Sequence, residues 1–307
     1  MLVLSKTHKF NLHLLGITYR RKSKEKNMSN IIRAIYNIYH CPVYKTGEHY
    51  YAKNRANNMG DALEHFIKDS FANSYGLDEA GAMRAHSEVF AYLGNQNNPP
   101  DAILRGGDAI EVKKIESPTS ALALNSSYPK AKIHRDSTML TTTCKACDGG
   151  AWDEKDLIFA VGVVNAEEIK QLCFVYGEDY AASREIYERI RTQIKNGILE
   201  IPDIEFAETN ELGRVNHVDP LGITYLRLRG MWHIENPFRV FRYAYEFDNT
   251  KSFNFLAIIN FEKYESFPKA DRNKLESESG ISIKFREIKD PNNPAIMKKV
   301  VVITFAR

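Results

Sequence analysis

Cysteine is scarce in this chain, with four in 307 residues, and no apolar run approaches 18 residues. The first shortage excludes a disulfide-stapled secreted scaffold, so free thiols are expected. The second excludes a membrane-spanning helix as far as hydropathy reads it. No secretory leader is expected either, because the apolar stretch from Leu12 to Ile17 is too short for its hydrophobic core. A cytoplasmic enzyme without membrane contact is therefore the expectation. No Gly-x-Ser-x-Gly elbow and no Cys/His pairing occur, which argues against covalent catalysis. Neither an internal repeat nor a low-complexity linker divides the chain. With 43% hydrophobic and 26% charged residues it can bury a large core.

Charge of one sign is also lacking, since 42 Lys/Arg stand against 39 Asp/Glu for a net +3. Even that small excess is local. Residues 1–27 hold seven Lys/Arg against one acid, Glu25, leaving 35 basic and 38 acidic residues in the remainder. A polyanionic partner must then be gripped by a local basic cleft, not by the global field. Residues 1–27 read as an N-terminal extension, either a disordered arm or a miscalled start ahead of Met28. Residues 28–307 are expected to form one catalytic and recognition domain.

Hydrophobic spacing gives an α/β pattern. Ile31, Ile32, Ile35, Ile38 and Tyr39 repeat at helical intervals. A second helix starts near Gly60-Asp61, buries Leu63, Phe66, Ile67 and Phe71, and stops before Gly76. Strand-like runs follow at 157–164, which reads as fully buried, and at 172–176. Ser183 is placed to cap a helix carrying Ile186, Ile190 and Ile194, with Gly197 as its end. Further strands are expected at 223–228, 253–261, 281–286 and 300–305.

The most informative stretch is Asn98-Pro99-Pro100-Asp101-Ala102-Ile103-Leu104-Arg105-Gly106-Gly107-Asp108-Ala109-Ile110-Glu111-Val112-Lys113. Two short apolar runs flank a Gly-Gly turn, which predicts a β-hairpin. Side chains alternate along a strand, so Glu111 and Lys113 share one face while Ile110 and Val112 take the other. A three-residue loop, Gly106 to Asp108, sets Asp101 opposite Lys113 and Ile103 opposite Glu111, with all three polar groups on one face. A two-residue loop would turn Asp101 to the wrong side. Mg²⁺ takes hard oxygen ligands, commonly one or two carboxylates plus substrate phosphate. Asp101, Glu111 and the carbonyl of Val112 form such a set, and Lys113 stands where it can orient the attacking water. On spacing alone, an exposed hairpin with solvated charges is an equal alternative.

The string PDAILRGGDAIEVKKIES resembles the PD-(D/E)xK nuclease core, and its context resembles the NgoPII-type type II restriction endonucleases. The similarity takes in Lys53-Asn54-Arg55-Ala56-Asn57, Ala121 through Lys130, Glu205-Phe206-Ala207-Glu208-Thr209, Asp219 through Leu226, and Arg229-Gly230-Met231-Trp232. It covers roughly residues 28 to 250. The resemblance implies a restriction-endonuclease-like core, a central mixed β-sheet flanked by helices. It also implies Asp101, Glu111 and Lys113 as the catalytic triplet and GGCC in double-stranded DNA as the target. Because nucleases of this superfamily often present an acid from the preceding helix, Glu64 becomes a further metal-ligand candidate, with a solvated helix Glu as the equal alternative. A palindromic target suits a homodimer delivering one active site to each strand. A cognate DNA methyltransferase is implied as a functional partner.

Guanine is read best by bidentate Arg in the major groove, at ~1–3 kcal/mol per good pair. Arg214, Asn216, Arg227, Arg229 and Arg239 lie in an Arg-rich, aromatic segment and are candidate readers; each has structural ion pairing as its alternative. Asn125, Ser126, Ser127 and Lys130 follow the catalytic strand and are candidate DNA contacts, although Asn-Ser-Ser is also ordinary turn chemistry. Cys144 and Cys147 have the spacing of half a zinc site, which only His134, Cys173 or Asp148 could complete, each at unusual spacing. Two other functions remain open from sequence: a repair or junction-resolving nuclease of the same superfamily, and a DNA-binding module whose hairpin acids are structural.

Overall fold

A computed structural model describes residues 28–41, 59–95, 98–165, 168–209 and 212–307. Residues 1–27, and the stretch Lys53-Asn54-Arg55-Ala56-Asn57, lie outside the described residues. In chain order the first elements are α1 (Ile31–His40), α2 (Met59–Ala72), α3 (Glu79–Val89), β1 (Phe90–Asn95), β2 (Asn98–Leu104) and β3 (Ala109–Ile115). Next come β4 (Leu122–Asn125), β5 (Lys132–His134), α4 (Thr142–Ala146), β6 (Glu154–Asn165), β7 (Glu168–Tyr176), α5 (Gly177–Tyr180) and α6 (Arg184–Leu199). The rest are β8 (Glu205–Ala207), β9 (Gly213–Asn216), β10 (Leu226–Leu228), β11 (Trp232–Ile234), α7 (Pro237–Val240), β12 (Asn254–Asn260), α8 (Phe261–Ser266), α9 (Lys269–Glu276), β13 (Ser282–Lys289) and β14 (Met297–Ala306).

A mixed sheet in the order β1-β2-β3-β6-β7-β12-β14-β13, with β5 attached to β6, organises the chain. The pairs β3–β6 and β7–β12 run parallel and the others antiparallel. Its two faces carry separate cores. On one, Leu63, Phe66, Ile67 and Phe71 of α2 and the isoleucines of α1 cover Ala102, Leu104, Ile110, Ile158 and Phe174. On the other, Phe238, Phe241 and the two cysteines of the α4 region cover Ile103, Ala109, Phe159, Val161 and Val175. Strand β6 lies between both layers, and all eight residues from Leu157 to Val164 except glycine are apolar and every one is buried or screened. That is the burial its unbroken apolar run predicts. The result is an α/β restriction-endonuclease-like core with a central mixed sheet flanked by helices. Among the described residues no helix is long and apolar enough to cross a membrane.

Some local expectations need correction. Helix α6 runs past Gly197 to Leu199, and Ser183 sits at its N-cap without a side-chain cap bond. Its row of Ile186, Ile190 and Ile194 is exposed at 37–44%, because the helix packs through its Tyr187 side instead. Strand β10 covers only Leu226–Leu228, since Asp219 accepts hydrogen bonds from the backbone of Leu221 and Thr224 and bends the chain into a turn before it. Helix α3 and strand β1 were not read from sequence. Asp78 was the available signal: its side chain accepts from the Gly81 N–H at 2.8 Å as the N-cap of α3.

Candidate active site

The site begins where a strand ladder stops. Strands β2 and β3 pair at Ile103↔Ala109 and Ala102↔Ile110 and no further. The turn comprises Arg105, Gly106 and Gly107, closed by a 2.9 Å bond from the Leu104 N–H to the Asp108 carbonyl. Gly106 takes φ +64°, the left-handed conformation that glycine adopts without steric cost. A three-residue loop was expected, but it lies one position earlier than Gly106–Asp108. Ile103 therefore faces Ala109 and not Glu111, and continuing the register sets Asp101 across from Glu111 and not Lys113. Parity survives the shift, because each residue moves by two positions relative to its expected partner. Ile103, Ala109 and Ile115 belong to one core and Ala102, Leu104 and Ile110 to the other. Alternation thus keeps Asp101, Glu111 and Lys113 on a common face.

At the end of the ladder, Asp101 Oδ2 accepts a 2.6 Å hydrogen bond from the Val112 N–H. Glu111 Oε1 meets Lys113 Nζ at 2.7 Å. Its other oxygen, Oε2, is buried with no hydrogen-bond partner. Burial pushes the Asp101 carboxyl far above the usual carboxylate range, and the charges of Glu111 and Glu64 add to the shift. For Lys113, burial pulls the amine down, but Glu111, then Asp101 and Glu64, outweigh it and hold the amine charged. Glu64, half-buried on α2, acts on both groups through its charge while ion-pairing with Lys68 one turn along the helix. Among the described residues no three His, Cys, Asp or Glu side chains gather into a closed metal cage. Two carboxylates beside the Val112 carbonyl nonetheless have the donor chemistry of the half-shell that Mg²⁺ takes when phosphate supplies the rest.

Several residues that hold this geometry were not read as functional. Asp148 Oδ1 accepts from the Gly106 N–H at 3.0 Å, and Lys155 bonds both the Gly107 carbonyl (3.0 Å) and Asp148 (2.8 Å). Arg105 turns back to the carbonyls of Ser87, Glu88 and Phe90 at the end of α3. Gly94 in β1 lies so close to β2 that a Cβ there would meet the Pro100 carbonyl oxygen at 2.3 Å and Asp101 Cα at 3.0 Å. Gly94→Ala should therefore displace Asp101, costing about 2 kcal/mol in stability, since the obstructing atoms are backbone. Melting temperature and cleavage rate should both fall; wild-type values for both would show that β1 does not constrain Asp101.

The candidate DNA contacts fall into two places. Asn125, at φ +52°, ends β4, and Ser127 closes the turn through its N–H to the Leu124 carbonyl at 3.2 Å. Lys130 follows in a pocket lined by Glu111, Pro99, Ser127 and Tyr128. Arg214 and Arg227 are register partners in the separate three-stranded sheet β10-β9-β8, and Arg214 lies over the Tyr225 ring at 3.8 Å. Arg229 lies between that sheet and β11, which pairs with β4. Asn216 donates to Glu205 at 3.2 Å, and Arg239 pairs with Glu235 at 3.0 Å on an exposed surface. For those two the structural alternative is the contact seen. Cys144 and Cys147 are buried free thiols, and burial pushes Cys144 up to about 12. Their loop serves the hairpin through Asp148, which is committed to Lys155, while His134 lies 3.8 Å from Glu154.

A mixed α/β core that brings two acids and a lysine to the parting ends of a β-hairpin has the architecture of a hydrolytic nuclease. Residues 29–289 match the NgoPII restriction endonuclease family, and the chain belongs to it. It is also 53% identical over 277 residues to the type II restriction enzyme NgoPII of Neisseria gonorrhoeae, spanning 90% of this chain and 99% of that protein. Membership makes the chain a type II restriction endonuclease, a site-specific deoxyribonuclease, and sets aside the repair-nuclease and non-catalytic readings. Enzymes of this class generally depend on a divalent metal. No solved structure matches the chain.

Proposed function

We propose that the enzyme hydrolyses double-stranded DNA at GGCC with Mg²⁺ held by Asp101, Glu111 and the Val112 carbonyl. The observation that carries this reading is the buried, unpartnered Glu111 Oε2 beside an Asp101 carboxyl whose ionisation the site resists. Such an excess of negative charge fits a divalent cation, and Glu64 adds to it from α2. When bound, Mg²⁺ acidifies a coordinated water and neutralises charge on the phosphate. Lys113 is held charged, so its task is to orient the attacking water and stabilise the phosphate oxygens, not to accept a proton. The Val112 N–H fixes the Asp101 carboxylate at one oxygen, leaving the other to face the reaction.

Arg214, Arg227 and Arg229 are the proposed base readers, and Asn125, Ser126 and Ser127 the contacts beside the cut. A homodimer in the cytoplasm, alongside a methyltransferase that protects the same site, completes the reading. Incubating the full chain with unmodified plasmid and Mg²⁺ should yield discrete fragments whose ends share GGCC. Fragments without a common sequence, or no cutting at all, would defeat it.

A further inference from the structure

Lys130 stands apart from the other buried lysines near the sheet. Lys113, Lys155 and Lys263 each ion-pair with a carboxylate at 2.6–2.8 Å. Among the described residues Lys130 has no such partner: its amine contacts the Ser127 hydroxyl, the Tyr128 carbonyl at 3.5 Å, and the Tyr128 ring at 5.4 Å. It nonetheless lines the same pocket as Glu111. A half-buried ammonium without a counter-ion is costly unless something outside the chain supplies the charge.

Its position is fixed independently of that charge. Gly177 leaves no room for a side chain because the Lys130 and Ala131 carbonyl oxygens lie 2.3 and 2.5 Å from where its Cβ would be. On the other flank the Tyr128 ring stacks on Tyr187 at 5.3 Å and meets Trp232 edge-on at 6.2 Å. The backbone carrying Lys130 is therefore clasped between β7–α5 and α6–β11. An amine carried on a clasped backbone and lining the same pocket as Glu111 suits electrostatic preorganisation toward a developing anion.

We propose that Lys130 is a second lysine of the active site, binding a non-bridging oxygen of the DNA phosphate being cut. The inference rests on the nuclease reading above. It adds a phosphate-binding amine outside the Asp101–Glu111–Lys113 set, supplied by the segment after β4.

The test compares Lys130→Gln and Lys130→Arg with the wild-type protein. Single-turnover cleavage of a GGCC duplex in Mg²⁺ and binding of that duplex in Ca²⁺ are both measured, after melting curves verify folding. Lys130→Gln should cut ~30–300-fold more slowly while binding weakens only a few-fold, and Lys130→Arg should recover much of the loss. Cleavage within threefold of wild type in the Gln variant would overturn the proposal. So would equal losses in binding and cleavage, which would assign Lys130 to ground-state grip on a neighbouring phosphate. If the variants fail to fold, amine-reactive labelling of the wild-type protein decides: cognate DNA should shield Lys130, and undiminished labelling would refute the contact. A wild-type protein that does not cut the duplex would instead indict the parent nuclease reading.

Discussion

Lys113→Ala is expected to slow cleavage by ~10³-fold or more while sequence-specific binding measured in Ca²⁺ stays within a few-fold of wild type. The size follows from removing a positioned positive charge in a buried site, where one lost electrostatic donor costs roughly 10²–10³ and loss of water alignment adds to it. Lys113 and Glu111 form a contact pair, so the variant also frees Glu111 Oε1. That leaves both Glu111 oxygens unpartnered and should slightly destabilise the metal-free protein, with recovery when a divalent cation is added. Binding that collapses in parallel with cleavage would mean that Lys113 serves chiefly to hold DNA or the fold.

Asp101→Asn should abolish Mg²⁺-dependent cutting yet preserve metal-free DNA affinity at neutral pH, where the raised Asp101 carboxyl already carries its proton, and improve it above about pH 8, where the wild-type carboxylate repels phosphate. The same substitution has a stability signature. Burial and the charge of Glu111 raise the Asp101 carboxyl from its ordinary value to about 8. A carboxyl raised on folding holds a proton that the unfolded chain has released, so the metal-free fold loses stability as pH climbs from the usual Asp range to about 8. Asn carries no such penalty. The variant should therefore melt several degrees higher than wild type in EDTA at about pH 8 and show a much smaller difference near pH 4. A large fall in metal-free DNA affinity, or equal melting at both pH values, would place Asp101 away from the scissile phosphate and from Glu111's field.

The chemistry of the hairpin was legible in one dimension because strand alternation depends only on parity. Asp101, Glu111 and Lys113 share a face for any loop of three residues, so an error of one position in placing the turn left the conclusion intact. The buried run of β6 was equally plain, as were α1, α2 and the last three strands, β12 to β14. Helix α6 misled because its isoleucines repeat at helical spacing, whereas the stacking of Tyr187 with Tyr128 and Trp232 chose which side faces inward. Periodicity shows that a helix has an apolar row; it does not show what lies opposite.

What the amino-acid order determined by itself was the local geometry of the candidate site: acids, amine and turn are close in sequence, and strand alternation sets them on one face. Tertiary structure alone decided which distant segments complete the site. Gly94 against Pro100, Asp148 and Lys155 on the turn, Glu64 acting from α2 and Lys130 beside Glu111 all depend on chain crossings that no local pattern encodes. The physical reason is that close approach and burial belong to pairs of segments, so their energies exist only once the sheet has brought those segments side by side.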